Sequence, residues 1–327
     1  MPDFSIGVDL GGTNLRIAAV NPEGQFLEKI TLEANASRGP DSVINEMCNS
    51  ILRINSQYQR DGKFLGAGIG IPGIIDLDAG TVRKSANLPT FSGYPVRAEI
   101  ERRLGAQVFL DNDANFAALG EKWMGAARNV SNMAIITLGT GIGGGIVLND
   151  KIFHGMNGMA GEFGHIPIVI DGLPCGCGSH GCAEQYASAT AVMRMAREAA
   201  ASGHADALAK AAISGGEFNA ATVHELAMKG DEAAQEIFRK FGTSLGFMLA
   251  GLLNSLNLDM FVIGGGVSSA WDAFAPAMFA ELRARSLVYA ATDPALGGTG
   301  KMTIITKAVL GGDAGLFGAA RIPLVGV

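Results

Sequence analysis

Ser5-Ile6-Gly7-Val8-Asp9-Leu10-Gly11-Gly12-Thr13-Asn14-Leu15-Arg16 reads as a buried strand, a turn of small residues and the start of a second strand, Asn14–Val20. The turn bares consecutive backbone N–H groups, and glycine, free to adopt φ > 0, lets a partner approach them closely. Such a nest binds phosphate. Thr13 adds a hydroxyl donor, and Arg16 is near enough to support an anion. Asp9 ends the first strand and would face the same place. A carboxylate beside phosphates is repulsive unless a cation bridges them, so Asp9 implies Mg²⁺, directly or through water.

The pattern returns about 125 residues later, which suggests a duplicated architecture with one copy per domain. Asn132–Leu138 reads as a strand, Gly139-Thr140-Gly141-Ile142-Gly143-Gly144 as a glycine turn and Gly145–Asn149 as a strand. A third element, Met260–Ile263, runs into Gly264-Gly265-Gly266 and a helix from Ser269. The second turn matches G-x-G-x-x-G, but the dinucleotide fingerprint requires a helix after the glycines. A strand follows here, so NAD is rejected. No G-x-x-x-x-G-K-[ST] occurs, which excludes a P-loop ATPase. The expected ligand is a nucleotide held between two domains by backbone groups at Gly11, Gly12, Thr13, Gly139, Thr140 and Gly141.

Between these landmarks, Gln25–Leu32 and Phe64–Ile71 read as strands and Asp41–Tyr58 as an amphipathic helix carrying a buried Cys48. Gln107–Leu110 is a short strand that runs into Asp111-Asn112-Asp113, where a helix over Ala114–Met124 begins. Ala191–Lys229 is mostly helical and shows no specific chemistry; His204 and His224 within it read as surface histidines. Asp231–Leu256 is a long helix, and Gly312–Arg321 a C-terminal helix of small residues.

With 327 residues, 48% hydrophobic and 17% charged, the chain is globular and long enough for two domains. A net charge of −6 and no block of Lys/Arg argue against nucleic acid. The N-terminus has no basic and apolar signal segment, and the apolar run Leu245–Leu253 is too short to span a bilayer. Few cysteines fit a reducing cytoplasm.

Three of the four cysteines fall in Leu173-Pro-Cys175-Gly-Cys177-Gly-Ser-His180-Gly-Cys182, ten residues after His165. Thiolates and an imidazole at this spacing make a closed tetrahedral zinc site, pinning a loop with no apolar core. His165, Cys175, Cys177 and Cys182 are the expected ligands, with His180 a competing candidate. Asp111 and Asp113 are both placed to act as a general base, and either could simply cap the following helix.

Asp9-Leu-Gly-Gly-Thr-Asn-Leu-Arg16, Leu138-Gly-Thr-Gly-Ile-Gly-Gly-Gly145, Gly161-Glu-Phe-Gly-His165 and Cys175-x-Cys-Gly-x-x-Gly-Cys-x-Glu184 together resemble the ROK family of repressors, open reading frames and sugar kinases. The resemblance runs in order along nearly the whole chain. It implies an α/β, two-domain actin-like ATPase fold (hexokinase-type, ribonuclease H-like) with a cleft between domains. The small domain would be 1–112, completed by a C-terminal helix at 312–327, and the large domain 113–311 with the zinc loop 165–184. It implies ATP and Mg²⁺ as cofactors, structural Zn²⁺, and phosphorylation of a hexose. The pattern is most similar to bacterial glucokinases, which makes glucose, giving glucose 6-phosphate, the first expected substrate.

The family's Asn-Asp pair matches Asn112-Asp113, which makes Asp113 the implied base. Sugar hydroxyls would meet Asn112, Glu162, His165 and Glu184, with the backbone at Gly73 and Asn87. Gly265 and Gly266 would approach the adenosine, and Thr140 and Gly141 the phosphates. Mannose, N-acetylglucosamine, N-acetylmannosamine, allose and fructose are alternative acceptors, and polyphosphate an alternative donor. Repressors of the family carry a helix-turn-helix domain ahead of the phosphate motif; Asp9 already lies in the first strand, which leaves no room for one. A homodimer, or a tetramer, and a cytoplasmic location complete what the resemblance implies.

Overall fold

The computed structural model describes residues 3–60, 62–203, 205–213 and 218–325, so His204 lies outside the described residues. The chain opens with strands β1 (Phe4–Leu10), β2 (Asn14–Val20) and β3 (Phe26–Glu33), then helix α1 (Pro40–Tyr58) and strand β4 (Phe64–Ile71). A short hairpin, β5 (Ile74–Asp76) and β6 (Thr81–Lys84), precedes α2 (Val96–Leu104), β7 (Val108–Asn112) and α3 (Asp113–Trp123). Then come β8 (Met133–Leu138), β9 (Ile142–Leu148) and β10 (Lys151–Ile152). Helices α4 (Ala189–Ala201), α5 (Asp206–Ile213), α6 (Ala220–Met228) and α7 (Glu232–Leu256) follow. The chain closes with β11 (Met260–Gly264), α8 (Trp271–Arg285), α9 (Leu287–Thr292), β12 (Ile304–Lys307) and α10 (Ala314–Val325).

Two compact units divide the chain. The first holds the residues through Ile135, Gly145–Gly161 and those from Val309 onward; the second holds Ile136–Gly144 and Glu162–Ala308. The division passes through β8 and β9, which belong to a sheet of order β10-β9-β8-β11-β12.

The first unit is built on a sheet of order β3-β2-β1-β4-β7. β1 pairs antiparallel with β2 and parallel with β4, and β4 pairs parallel with β7. β1 and β4 are covered on both faces, which explains why they are apolar runs instead of alternating strands. Val43, Ile44, Met47, Cys48, Ile51 and Ile54 line the inward stripe of α1, and burial pushes the Cys48 thiol up to about 11. α10 approaches β1, β4 and α3 backbone to backbone. A methyl group at Gly7 or Gly68 would collide with the carbonyls of Leu316 or Ala319, and one at Gly120 or Gly318 with those of Ala314 or Phe116. Ser5 Oγ donates to Ala320 O at 2.6 Å in the same seam. α3, which the sequence assigns to the second domain, thus packs in the first unit. α10 also runs on to Val325, past the expected end at Arg321, with Pro323 buried inside it.

Glu121 of α3 is fully buried and was not foreseen. Its Oε1 accepts from Val309 N at 3.0 Å and Leu310 N at 2.9 Å, and its Oε2 from Ala126 N at 2.8 Å. It clasps the chain where it returns to the first unit. Glu121→Ala leaves three backbone donors without that partner, and we expect a loss of about 3 kcal/mol in urea unfolding of the intact protein.

In the second unit α7 and α8 meet through small residues. A methyl group at Gly242 would strike Phe274 O. β11 pairs parallel with β12. His224 of α6 is not a surface residue: its ring is half-buried edge-on against Phe238, with centroids 5.7 Å apart, and its Nε2 is buried.

Candidate active site

The β7–α3 corner separates the two candidate carboxylates. β7 runs through Asn112, two residues beyond the expected end, because Asp111 and Asn112 still pair with Gly70 and Ile71 of β4. Asp111 is buried and committed. Its Oδ1 accepts from Asn112 N at 2.7 Å and Asn115 Nδ2 at 2.8 Å, and its Oδ2 lies 2.7 Å from His154 Nε2. Asn112 caps α3: its Oδ1 accepts from Ala114 N at 2.8 Å, while its Nδ2 donates to Gly73 O at 3.0 Å. Gly73 has φ of 117° and sits against Lys84 and Ser85, a position that a Cβ would not fit. Asp113 is half-buried at the first position of α3, with its Oδ1 3.0 Å from Ala114 N. The strand end and helix start hold its backbone rigid, at the carboxyl end of a parallel strand where ligands of such sheets bind.

The β1–β2 turn forms as expected, with Gly11 N donating to Asn14 O at 2.8 Å. Neither Gly11 nor Gly12 takes positive φ, contrary to expectation. Space is the constraint instead: a Cβ at Gly12 would stand 3.2 Å from Asn87 O, which places the Asn87 backbone against this turn. Asp9 and Arg16 form an ion pair at 2.5 Å, and Arg16 also donates to Gly312 O. Burial raises the Asp9 carboxyl above its ordinary range, and the Arg16 guanidinium opposes that shift. The cation beside Asp9 is thus Arg16, and repulsion alone does not require a metal there.

In the second unit the glycine turn is shorter than its sequence suggests. β9 starts at Ile142, so the turn is Gly139–Gly141, again without positive φ. The start of α4 fixes it: Ala189 N donates to Gly139 O at 2.8 Å and Thr190 Oγ1 to Thr140 O at 2.7 Å. Glu184 Oε2 accepts from Ile142 N at 3.0 Å, and a methyl group at Gly141 would collide with that carboxylate. Gly265, with φ of 81°, lies against the Leu138 backbone, whereas Gly139 and Gly266 have open space where a Cβ would stand. Gly141→Ala displaces the Glu184 carboxylate, to which the family resemblance assigns sugar binding; the expected result is a KM for the sugar raised about tenfold in steady-state kinetics, with the fold intact by circular dichroism.

The ligand atoms of His165, Cys175, Cys177 and Cys182 lie within 4.8 Å of one another. Cys175 Sγ is 3.6 Å from His165 Nδ1, and Cys177 Sγ is 3.7 Å from Cys182 Sγ. Tetrahedral zinc with Zn–S bonds of about 2.3 Å would hold sulfurs roughly 3.8 Å apart, so the spacing fits. His180 is outside this group; its backbone bridges Pro174 instead. A tight turn, Cys175 N to Ser179 O at 2.8 Å with Gly178 at φ of 95°, presents the thiols, and Tyr186 Oη accepts from Leu173 N at 2.7 Å at the loop's base. Burial pushes the Cys182 thiol up to about 12, and the Ser179 backbone pulls Cys177 down. His165 Nε2 points to Glu162, 3.9 Å from its Oε2.

Residues 5–324 match the ROK family. This chain belongs to the ROK family. It is 37% identical over 317 residues to a glucokinase of Thermotoga maritima, covering 97% of this chain and 96% of that protein. It is 36% identical over 315 residues to a glucokinase of Halalkalibacterium halodurans, covering 96% and 92%. A crystal structure of a ROK family glucokinase from Streptomyces griseus in complex with glucose and AMPPNP matches with a TM-score of 0.79 at 33% identity, covering 97% of this chain and 98% of that one. The fold expectation is borne out: this is the α/β, actin-like ATPase fold of ROK hexokinases, built on two mixed sheets. No described helix is long and apolar enough to cross a membrane.

Three residues that hold the site and its surroundings were not foreseen from the sequence: Glu121, His154 and Tyr186. Each acts on a backbone group or side chain distant in sequence, and none sits in a local motif. His154-Gly155 after the two-residue strand β10 carried no periodic signal.

Proposed function

We propose that this protein is an ATP-dependent sugar kinase that converts glucose to glucose 6-phosphate, with Asp113 as the general base. What carries the reading is the β7–α3 corner: Asp111 is spent on structure, leaving Asp113 as the helix-start carboxylate beside the capping Asn112. Asp113 takes the proton of the 6-hydroxyl as its oxygen forms a bond to the γ-phosphorus and the bond to ADP breaks. Asn112, Glu162, His165 and Glu184 orient the other hydroxyls, and so do the backbones at Gly73 and Asn87. These groups suit a polyol, which offers many donors and acceptors and no charge.

The turns at Gly11–Thr13 and Gly139–Gly141 supply backbone N–H groups for the phosphates, with Arg16 beside the first. The open faces of Gly139 and Gly266 support close approach of a nucleotide there. Mg²⁺ carried with ATP supplies charge neutralisation on the phosphates, and Asp9 is the carboxylate that would hold it, directly or through water. His165 Nδ1 and the thiolates of Cys175, Cys177 and Cys182 would hold a structural Zn²⁺. With Nδ1 committed there, Nε2 is the nitrogen left for a sugar hydroxyl. A homodimer or tetramer, expected from the family resemblance, and a cytoplasmic location, expected from the sparse cysteines, belong to the same proposal.

The test is ADP release with Mg-ATP across neutral hexoses and N-acetylhexosamines. Fast turnover with glucose and little with N-acetyl sugars is the expected result. A preference for an N-acetyl sugar would keep the kinase and move the acceptor.

A further inference from the structure

None of the roles proposed for phosphoryl transfer falls to the residue that holds Asp111. Asp111 lies directly before Asn112-Asp113, is buried, and has both carboxylate oxygens engaged. Oδ1 serves the corner itself, accepting from Asn112 N at 2.7 Å and Asn115 Nδ2 at 2.8 Å. Oδ2 meets a residue from another part of the chain, His154 Nε2, at 2.7 Å. His154 follows β10 and is half-buried; its carbonyl accepts from Ala160 N at 3.1 Å, closing the loop it begins. The contact is thus anchored at both ends, by β7 on one side and by a closed loop on the other.

We propose that His154 is a positioning residue for phosphoryl transfer: by fixing Asp111, it fixes the β7–α3 corner that aims Asp113. The inference rests on Asp113 being the base. A carboxylate with one oxygen released can turn about its terminal torsion, which is broad and two-fold. Turning Asp111 loosens its hold on Asn112 N and Asn115 Nδ2 together. Asn112 is the cap of α3 and the tether to Gly73 O, so its drift reaches the backbone of the next residue, Asp113. A base displaced by about 1 Å costs on the order of a hundredfold in rate, while binding contacts made elsewhere change little. The pair also has the electrostatics of a clamp. The Asp111 hydrogen bond raises His154 above its ordinary range, against the opposing effect of burial. An imidazole that donates to a buried carboxylate makes the stronger, charge-assisted form of the bond.

The test compares kcat and the glucose KM for His154→Leu, His154→Gln, Asp111→Asn and the Leu/Asn double variant, with Asp113→Asn alongside. We expect His154→Leu to lower kcat by about 10- to 100-fold with KM within about threefold. His154→Gln, whose amide can still donate to Oδ2, should recover kcat to within about threefold of the parent. The double variant should lose no more than the worse single variant, because both changes break one unit. If His154→Leu does not accumulate folded, His154→Asn, polar but shorter of reach, takes its place against His154→Gln. Parental kcat in His154→Leu would overturn the proposal. So would a Gln variant no better than Leu, or a kcat loss equal to the fraction of unfolded protein. If Asp113→Asn turns over normally, the base assignment itself has failed. If Asp113→Asn is inactive and His154→Leu is not impaired, only the positioning role has.

Discussion

Asp113→Asn is expected to lower kcat by roughly 10²- to 10⁴-fold, the range that a positioned general base contributes. The substitution keeps the shape of the side chain and an oxygen able to accept from Ala114 N, so the first turn of α3 is preserved. Asn112 continues to cap that helix. What disappears is the basicity that the proposed mechanism assigns to Asp113 for taking the proton from the sugar hydroxyl. Glucose should still bind, with a Kd within about threefold of the parent by calorimetry, because an interaction made in the transition state is lost and ground-state contacts are not. A rate within threefold of the parent would remove Asp113 as the base. Asp111, committed to Asn112, Asn115 and His154, would then be a poor replacement.

Cys177→Ser is the second large effect. The parent should carry one zinc per chain by elemental analysis, and the variant close to none. The four candidate ligand atoms lie within 4.8 Å of one another, and in the proposed zinc reading metal binding is coupled to the order of the loop. The loop they pin is rich in glycine and has little apolar burial of its own. Losing the metal therefore frees His165 and the backbone leading to Glu184. Glu184 in turn holds Ile142 N in the second glycine turn. We expect the glucose KM to rise by more than about tenfold and the loop to become a site of proteolytic cleavage, while α7 and α8 remain protected in hydrogen exchange. Full activity in metal-free protein would refute the zinc assignment.

Strands with apolar runs bounded by glycine or proline were legible to within a residue: β1, β8 and β11 each differ from expectation by one residue at one end. β2 and β4 begin and end where the sequence places them. The same rule misread Ile142–Gly144, where glycines that suggest a turn are paired strand. Gly145 beside them is small because a Cβ would stand 2.7 Å from Ala114 O, a demand of helix packing that no local pattern carries. The hairpin β5–β6 and the strand β12 went unread. β12 is only partly covered and lacks the apolar run that marks a core strand.

At the site, the cysteine cluster was legible because its ligands are close in sequence. That Asp111 is the buried, fully engaged carboxylate of the pair was not legible from local residue types. One of the contacts that engage Asp111 comes from His154, a residue with no motif around it. The positive φ expected at Gly11 and Gly12 failed for a related reason: the turn needs room against Asn87, and room is a tertiary property.

The most direct measurement is phosphorus NMR of a reaction containing the protein, Mg-ATP and glucose. The account predicts that the γ-phosphate signal is replaced, mole for mole with ADP, by a sugar phosphomonoester at the 6-position. Inorganic phosphate as the only new signal, or no ATP consumption beyond the sugar-free rate with any hexose or N-acetylhexosamine, would contradict it.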